Sequence, residues 1–250
     1  MRAIAQALPK PIKRQLRQAY MTFRDAPLRW GNDRFCPVCN KPSKQFRSFG
    51  RTNRVDAQCV RCGSLERHRL VWLYFQKKTD LFDQKPKKML HFAPERCFVP
   101  QLTSIIGDGY ITADLYADNA MVKMDVTEIR YPDASFDVLY CSHVLEHVVE
   151  DRKALREFHR VLKPQGWAMI LVPAIGDKTQ EDLSITDPAM RLRLYGQRDH
   201  VRLYGLDFAD RLRETGFNVT TVAPTDFLTA EDIIRMGITK SAGVLFYCTK

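Results

Sequence analysis

The chain has 250 residues, of which 45% are hydrophobic and 27% are charged, and its formal net charge is +10. This length allows one full-sized hydrophobic core together with a small accessory module. The longest uncharged stretch, residues 164–176, is too short to cross a bilayer, and the N-terminal residues contain no long apolar run. The composition therefore argues against a membrane-spanning or exported chain and predicts a cytoplasmic protein.

The positive charge is concentrated in the first third of the chain. Residues 1–88 include 21 basic and 6 acidic residues, whereas residues 89–250 include 18 basic and 23 acidic residues. A basic module of this kind suggests an anionic partner such as RNA, an acidic glycan or a membrane surface, because phosphate-like groups bind through the release of counterions. The alternative is that these charges are solvated on a small module and bind no particular partner.

Residues 1–34 are predicted to form a basic N-terminal arm with an amphipathic helix. Between residues 11 and 24, apolar side chains recur at helical spacing and basic side chains surround them. The apolar positions are Ile12, Leu16, Ala19, Tyr20 and Phe23. Such a helix can attach to a membrane surface, but the pattern is more typical of a helix that docks on the core of its own protein.

Four cysteines dominate the next segment, residues 35–69. Cys36 and Cys39 form one C-x-x-C pair, Cys59 and Cys62 form a second, and nineteen residues separate the two pairs. Each pair directs two thiolates at one centre, and the intervening chain is long enough to close a tetrahedral shell. We therefore predict a structural zinc ribbon. The alternatives are four unrelated buried thiols or two disulfides.

The remaining residues, 70–250, predict an α/β domain. An apolar helix at residues 70–75 and a Lys/Pro-rich joint at residues 85–88 precede a series of short apolar runs that alternate with amphipathic segments. These runs are residues 88–93, 110–115, 122–126, 136–141, 167–172, 217–222 and 244–249. The alternation favours a seven-stranded, mostly parallel, doubly wound Rossmann-like sheet. The clearest helix is predicted at residues 149–162, with residues 163–166 as its stop.

Several motifs resemble those of class I S-adenosylmethionine-dependent methyltransferases. The run FDVLYCSHVLEHV at residues 136–148 is similar to their fourth strand and the following helix, and RVLKPQGW at residues 160–167 is similar to the entry of their fifth strand. The resemblance covers residues 88–250. With CGSLERHR (62–69), LHFAPE (90–95) and YGQRDHVRLYG (195–205), the chain also resembles a bacterial subfamily of zinc-ribbon methyltransferases.

The resemblance implies S-adenosylmethionine as cofactor, bound beyond the carboxyl ends of the strands. Asp114 would accept both ribose hydroxyls, Asp125 would accept the adenine amino group, and the backbone N–H of Val126 would face a ring nitrogen. Both carboxylates could alternatively be ordinary loop residues. The other residues expected at the cofactor are His91, Ala93, Glu95, Leu115, Cys141, Ser142 and His143.

The first loop, residues 93–97, departs from the family pattern because it lacks the expected glycines. Glu95 could instead pair with the ammonium group of the cofactor, and His91 occupies a position where an acidic residue is common. The alternative is a degenerate domain that binds no cofactor and acts as a non-enzymatic interaction module.

A hydroxyl acceptor would need a base, because the sulfonium already activates the methyl group. By resemblance, residues 173–205 would form a substrate lid, and His200 lies there in a polar cluster that also includes Gln197, Arg198, Asp199, Arg202 and Tyr204. We therefore predict His200 as the general base, with His147 as the second choice.

Glu146 and His147 could instead help to hold a divalent ion that polarises the substrate oxygen. Adjacent helical residues diverge, however, so a cap role for Glu146 and a packed His147 are favoured at this stage. The leading hypothesis is O-methylation of a small hydroxylated or sugar-like substrate. Methylation of RNA gripped by the basic ribbon is the enzymatic alternative.

Overall fold

A computed structural model of the chain describes Ile12 and residues 23–250. The predicted amphipathic helix at residues 11–24 lies, apart from Ile12 and its last two residues, outside this part of the chain. Residues 23–29 are helical. No helix within the described residues is both long and apolar enough to span a membrane.

The cysteine-rich segment consists of two short antiparallel hairpins. Strands β1 (Arg34–Cys36) and β2 (Lys41–Ser43) form the first, and β3 (Arg47–Phe49) and β4 (Arg54–Gln58) form the second. Helix α1 (Glu66–Lys78) follows directly. Its residues from 68 to 75 are all buried, which is the pattern of a helix covered on every side.

Seven strands form the central sheet, in the order β12-β13-β9-β8-β5-β6-β7. Their bounds are β5 Met89–Phe92, β6 Tyr110–Asp114, β7 Val122–Lys123, β8 Phe136–Ser142, β9 Leu162–Leu171, β12 Asn218–Val222 and β13 Leu245–Thr249. The pairs from β9 to β7 are parallel, whereas β13 is antiparallel to both β9 and β12. The predicted seven-stranded, doubly wound α/β sheet is confirmed.

Helices and short loops connect these strands. The helices are α2 Val99–Ile106, α3 Asp151–Val161, α4 Pro188–Tyr195, α5 Phe208–Glu214 and α6 Ala230–Arg235. A small hairpin of β10 (Gln180–Glu181) and β11 (Arg202–Leu203) lies in the long connection after β9. Because β5 is the central parallel strand, the carboxyl ends of β5, β6, β7 and β8 meet along one edge.

One predicted boundary differs from the structure. Residues 163–166 were expected to be only a helix stop, but they already belong to β9, which starts at Leu162 directly after α3. The pairing of β8 with β9 shifts register between Phe136 and Val138. This irregularity accommodates the extra residues, so the glycine and proline mark a bulged strand entry instead of a loop.

The two faces of the sheet carry two hydrophobic clusters. One cluster includes residues of α3 and α5. The other joins the sheet to α1, to α2 and to the hairpins through Cys36, Val38 and Phe46. In this second cluster the ring of Phe75 lies 5.6 Å from the rings of both Tyr140 and Trp167. The predicted boundary between residues 69 and 70 therefore falls inside a helix that packs against both the hairpins and the sheet.

Arg69 of α1 ties these parts together. Its guanidinium is completely buried and donates hydrogen bonds to the carbonyl oxygens of Ala57 (3.0 Å) and Ser64 (2.9 Å) in the hairpin region. It also donates to the carbonyl oxygens of Met236 (2.6 Å) and Gly237 (2.8 Å), which follow α6. A buried charge is tolerated only when its donors are satisfied in this way.

Replacement of this guanidinium should destabilise the whole chain. We expect Arg69→Met to lower the free energy of unfolding by about 3–5 kcal/mol, because four buried carbonyl oxygens lose their donor. Urea unfolding followed by circular dichroism measures this change. Arg130→Met is the matched control, since the Arg130 side chain is 77% exposed, and should stay within about 0.5 kcal/mol of the wild type. Equal stability of the two variants would contradict the role of Arg69.

Candidate functional site

A cavity of about 600 Å³ opens at the edge where β5, β6, β7 and β8 end. Its lining includes side chains from the ends of all four strands and from the turn after β8. The lining residues are Phe92, Ala93, Asp114, Leu115, Tyr116, Met124, Asp125, Val126, Thr127, His143, Val144, His147, Val148, Val149, Glu150 and Asp199. Many of the predicted site residues are therefore brought together in one place.

The two predicted carboxylates face this cavity from neighbouring loops. Oδ1 of Asp114 accepts hydrogen bonds from the backbone N–H groups of Tyr116 (2.8 Å) and Ala117 (2.7 Å). Oδ1 of Asp125 accepts from the backbone N–H (2.8 Å) and the hydroxyl (2.9 Å) of Thr127. Each aspartate is thus fixed through one oxygen. Within the described part of the chain, the other oxygen of each has no hydrogen-bond partner and is available to a ligand.

The first loop reaches the cavity through Ala93. This residue has a φ of 51°, in the left-handed region that glycine usually supplies, and its N–H donates to the carbonyl oxygen of Ala113. The loop therefore follows a glycine-like path without a glycine. A left-handed alanine is strained, and such strain is concentrated at functional sites.

His91 in β5 and Glu95 in the first loop are not part of the cavity lining. Nε2 of His91 is 2.6 Å from Oε2 of Glu95, and its Nδ1 is 2.7 Å from the hydroxyl of Tyr110. The hydroxyl of Tyr140 donates to the other Glu95 oxygen at 3.0 Å. Both carboxylate oxygens are thus engaged inside the protein, and the expected contact of Glu95 with a cofactor stays a prediction.

The electrostatics of this buried network favour an ionised Glu95. Burial raises its pKa, but the hydrogen bond and positive potential from His91, with a further contribution from His68, outweigh burial and lower the pKa to about 2. Burial lowers the pKa of His68 to about 3, although the nearby Glu95 carboxylate opposes this. The network is therefore a charged carboxylate held by protein donors and not part of the cavity lining.

Cys141 and Ser142 end β8 without lining the cavity. The side chain of Cys141 is fully buried in a hydrophobic cluster, where burial raises the pKa of its thiol. Ser142 is 5% exposed, and its hydroxyl has no hydrogen-bond partner among the described residues. Their expected cofactor contacts are left as predictions.

His143 follows β8 and projects into the cavity lining. Its φ is 56°, a second left-handed conformation at this edge of the sheet. Nδ1 lies 3.1 Å from Oε1 of Glu146, whose side chain is 1% exposed. A buried carboxylate at this nitrogen favours the tautomer with the proton on Nδ1, which leaves Nε2 as an acceptor.

The two predicted catalytic histidines pack against each other. The rings of His147 and His200 lie 4.7 Å apart in an edge-to-face arrangement, and Nδ1 of His147 is 3.2 Å from Oδ2 of Asp199. His147 lines the cavity, whereas His200 is 4% exposed and does not. Burial lowers the pKa of His200, although Glu146 opposes this, so His200 is neutral at pH 7.

Arg202 holds this part of the chain in place. It is completely buried, and its guanidinium donates to the carbonyl oxygens of Leu145 (2.9 Å), Val148 and Val149 (2.8 Å), all in or beside the 3-10 turn Leu145–His147. Its Nε also donates to Glu181 at 2.8 Å. The sequence predicts Arg202 in a polar cluster suited to substrate, but its donors are engaged inside the protein.

Tyr204, from the same predicted cluster, is also structural. It is fully buried, and its hydroxyl donates to Oδ2 of Asp151 at 2.7 Å. Asp199, in contrast, lines the cavity. The sequence pattern does not distinguish a buried residue such as Tyr204 from a cavity-lining residue such as Asp199. The difference depends on how the long connection after β9 folds against the turn after β8.

The four ribbon cysteines form a second cluster, away from the cavity. All four sulfur atoms lie within 4.8 Å of one another. Sγ of Cys36 is 3.6 Å from Sγ of Cys62, and Sγ of Cys39 is 3.9 Å from Sγ of Cys59. Both C-x-x-C turns end in a left-handed residue, Asn40 with φ 52° and Gly63 with φ 77°, which turns the two thiols of each pair inward. None of the seven cysteines is in a disulfide.

Comparisons with known proteins agree with this architecture. A family model described as a methyltransferase domain, Methyltransf_11, matches residues 102–170, which run from α2 to β9. No curated protein sequence matches the chain.

Among solved structures, the chain is similar to an S-adenosylmethionine-dependent methyltransferase from Mesorhizobium loti, with 14% identity, a TM-score of 0.49 and coverage of 72% of this chain and 98% of that one. It is also similar to an Archaeoglobus fulgidus methyltransferase (17% identity, TM-score 0.46, 75% and 95% coverage). A third is the Burkholderia thailandensis 1,6-didemethyltoxoflavin-N1-methyltransferase, with bound S-adenosylhomocysteine. The identity is 14%, the TM-score is 0.48, and the match covers 74% of this chain and 78% of that one.

The sheet order and the cavity at its carboxyl edge agree with the match of residues 102–170 to a methyltransferase domain. These features support an enzyme that uses S-adenosylmethionine. The prediction of a methyltransferase enzyme is confirmed.

Proposed function

We propose that this methyltransferase transfers the methyl group to an oxygen atom of a small hydroxylated or sugar-like substrate. The observation that carries the proposal is that two kinds of side chain line one cavity. The carboxylates Asp114, at the end of β6, and Asp125, after β7, lie on one side of β5. His143 and His147 follow β8 on the other side. The carboxylates suit a nucleoside, and the histidines suit an acceptor that must lose a proton.

The residues present fit the cofactor. Each of the two aspartates has one oxygen fixed by backbone donors and one oxygen free for the ribose hydroxyls or the adenine amino group. The apolar lining at Phe92, Met124 and Val126 provides contact surface for a flat base. When bound, the cofactor supplies a methyl group activated by its sulfonium.

We assign the proton acceptor to His143 in preference to the predicted His200. Nε2 of His143 would take the hydroxyl proton of the acceptor while a bound cofactor would supply the methyl group and keep the sulfur electron pair. Glu146, at Nδ1, would stabilise the resulting imidazolium. His143 lines the cavity, whereas His200 is buried behind it.

The charge distribution supports a small substrate over RNA. Several basic side chains of the hairpin region are used inside the protein: Arg34 pairs with Asp56, Arg54 with Glu66, and Arg47 with Asp25. Arg29 and Arg61 donate to backbone carbonyl oxygens of the same region. A phosphate-binding surface needs these donors free.

We also propose that the four cysteines hold a structural zinc ion. In a tetrahedral site with Zn–S distances of about 2.3 Å, the sulfur atoms are about 3.8 Å apart. The sulfur–sulfur distances of 3.6 Å and 3.9 Å lie on either side of this value. The free state of all seven cysteines also supports a cytoplasmic location, where thiols stay reduced.

Binding of S-adenosylhomocysteine tests the cofactor site. We expect micromolar affinity, on the order of −8 kcal/mol, by calorimetric titration. Asp114→Asn should weaken binding about tenfold to a hundredfold, because it removes the charge that accepts the ribose hydroxyls but keeps an oxygen for the two backbone donors. Asp118→Asn is the matched control, since Asp118 is 94% exposed, and should bind normally. Binding that is unaffected by Asp114→Asn would exclude this position for the ribose.

Methyl transfer tests the acceptor and the base. Purified protein is incubated with methyl-labelled cofactor and, separately, with a panel of monosaccharides and small phenols or with bulk RNA. We expect label in the small hydroxylated compounds and at least a hundredfold lower turnover in His143→Gln at unchanged cofactor affinity. His159→Gln, a histidine on α3 outside the cavity, is the control. Label in RNA alone would overturn the acceptor assignment, and normal turnover of His143→Gln would remove His143 as the base.

Elemental analysis tests the metal. We expect one zinc ion per chain, lost in the double variant Cys36→Ser/Cys59→Ser, and a lower unfolding temperature after chelation. Cys248→Ser, which replaces a cysteine outside the cluster, should keep the metal. A folded wild-type protein without zinc would contradict this proposal.

A further inference from the structure

A second group of metal-binding side chains lies beside the cofactor cavity. One carboxylate oxygen of Glu146, one ring nitrogen of His147 and one ring nitrogen of His200 all lie within 4.8 Å of one another. Glu146 and His200 are 1% and 4% exposed, whereas His147 forms part of the cavity lining. Two side chains of the group are therefore buried, and the third, His147, faces the cavity.

His200 is oriented as a metal-binding histidine. Its Nδ1 is 3.0 Å from the backbone carbonyl oxygen of Tyr195, which can only accept, so Nδ1 carries the proton and Nε2 carries the lone pair. Nε2 is buried and has no hydrogen-bond partner in the described part of the chain. A backbone carbonyl that fixes one ring nitrogen while the other is free is the usual arrangement behind a ligating histidine.

Glu146 contributes the second unpaired atom. Its Oε1 is engaged by His143 at 3.1 Å, but Oε2 is buried and no donor among the described residues reaches it. A buried carboxylate oxygen without a donor is costly, and so is a buried unpaired imidazole nitrogen. Two buried acceptors in one small group, with no donor between them among the described residues, are suited to a cation.

Two features keep the group assembled. Arg202 binds the carbonyl oxygens on both sides of the 3-10 turn that carries Glu146 and His147, and the N–H of Val201 donates to the carbonyl oxygen of Glu146 at 2.9 Å. Asp199, beside His147, adds a further carboxylate that lines the cavity. Adjacent side chains of a 3-10 turn also diverge, yet a carboxylate oxygen of Glu146 and a ring nitrogen of His147 lie within 4.8 Å of each other.

We propose that Glu146, His147 and His200 bind one divalent cation, whose open coordination positions face the cavity and take the hydroxyl oxygen of the acceptor. Two imidazoles and one carboxylate suit a first-row divalent ion such as Mn²⁺. Bound to the ion, the hydroxyl is more acidic and is held in line with the methyl group, and its proton still passes to His143. The role of the ion rests on the oxygen-acceptor function proposed above, whereas its binding does not.

The test is a titration of the zinc-loaded full chain with Mn²⁺ alone, followed by the electron paramagnetic resonance signal of free Mn²⁺. We expect one Mn²⁺ bound per chain and nitrogen couplings from imidazole in the pulsed spectrum of the bound ion. Glu146→Gln and His200→Ala should each weaken Mn²⁺ binding at least tenfold. Glu128→Gln, an exposed glutamate outside the cavity, is the matched control and should bind Mn²⁺ normally.

The same samples are titrated with S-adenosylhomocysteine, which reports folding and the cofactor site separately. Absence of saturable Mn²⁺ binding, or bound Mn²⁺ without nitrogen couplings, in a wild-type protein that binds S-adenosylhomocysteine would overturn the cation site alone. Unchanged Mn²⁺ affinity in both folded variants would overturn it as well. Loss of S-adenosylhomocysteine binding with intact Mn²⁺ binding would instead contradict the proposed function.

Discussion

The candidate site depends on a buried arginine that joins two distant parts of the chain. Arg202 is completely buried, an arrangement whose desolvation is costly unless its donors find acceptors. The acceptors are the Glu181 carboxylate and carbonyl oxygens in and beside a single 3-10 turn, where few backbone partners compete for these oxygens. The guanidinium donors and the carbonyl oxygens of the turn therefore satisfy each other's hydrogen bonds. As a result the segment containing His200 and Asp199, far along the chain, is fixed against the turn after β8.

This constraint also explains how the reactive side chains come to share one edge of the sheet. The strands bring Asp114 and His143 to that edge by topology alone. His200 lies in the long connection after β9 and is held at this edge by the hydrogen bonds of Arg202 and of the Val201 N–H to the turn after β8. The two left-handed residues, Ala93 and His143, turn the chain sharply at the ends of β5 and β8, where backbone strain is offset by the surrounding packing.

Much of the fold could be predicted from the sequence, because buried parallel strands leave short apolar runs and the helices between them leave a clear periodicity. Asp114 and Asp125 reach the cavity for the same reason, since a residue just after a strand must lie at the sheet edge. The limits appear where tertiary packing decides. Glu95 and Arg202 are polar residues in promising positions, yet their partners are inside the protein. Sequence does not record which side of a loop faces the core.

The packing of the ribbon gives the cysteine cluster a second significance. Sγ of Cys97, in the first cofactor loop, lies 3.4 Å from Nδ1 of His68, which also accepts the N–H of Leu65 at the start of α1. Cys36 and Cys97 belong to the same hydrophobic cluster. Helix α1 therefore contacts both the cysteine cluster and the first loop. Any effect that a metal ion at the cysteines has on the affinity for a ligand in the cavity must be matched by an equal effect of that ligand on the affinity for the metal.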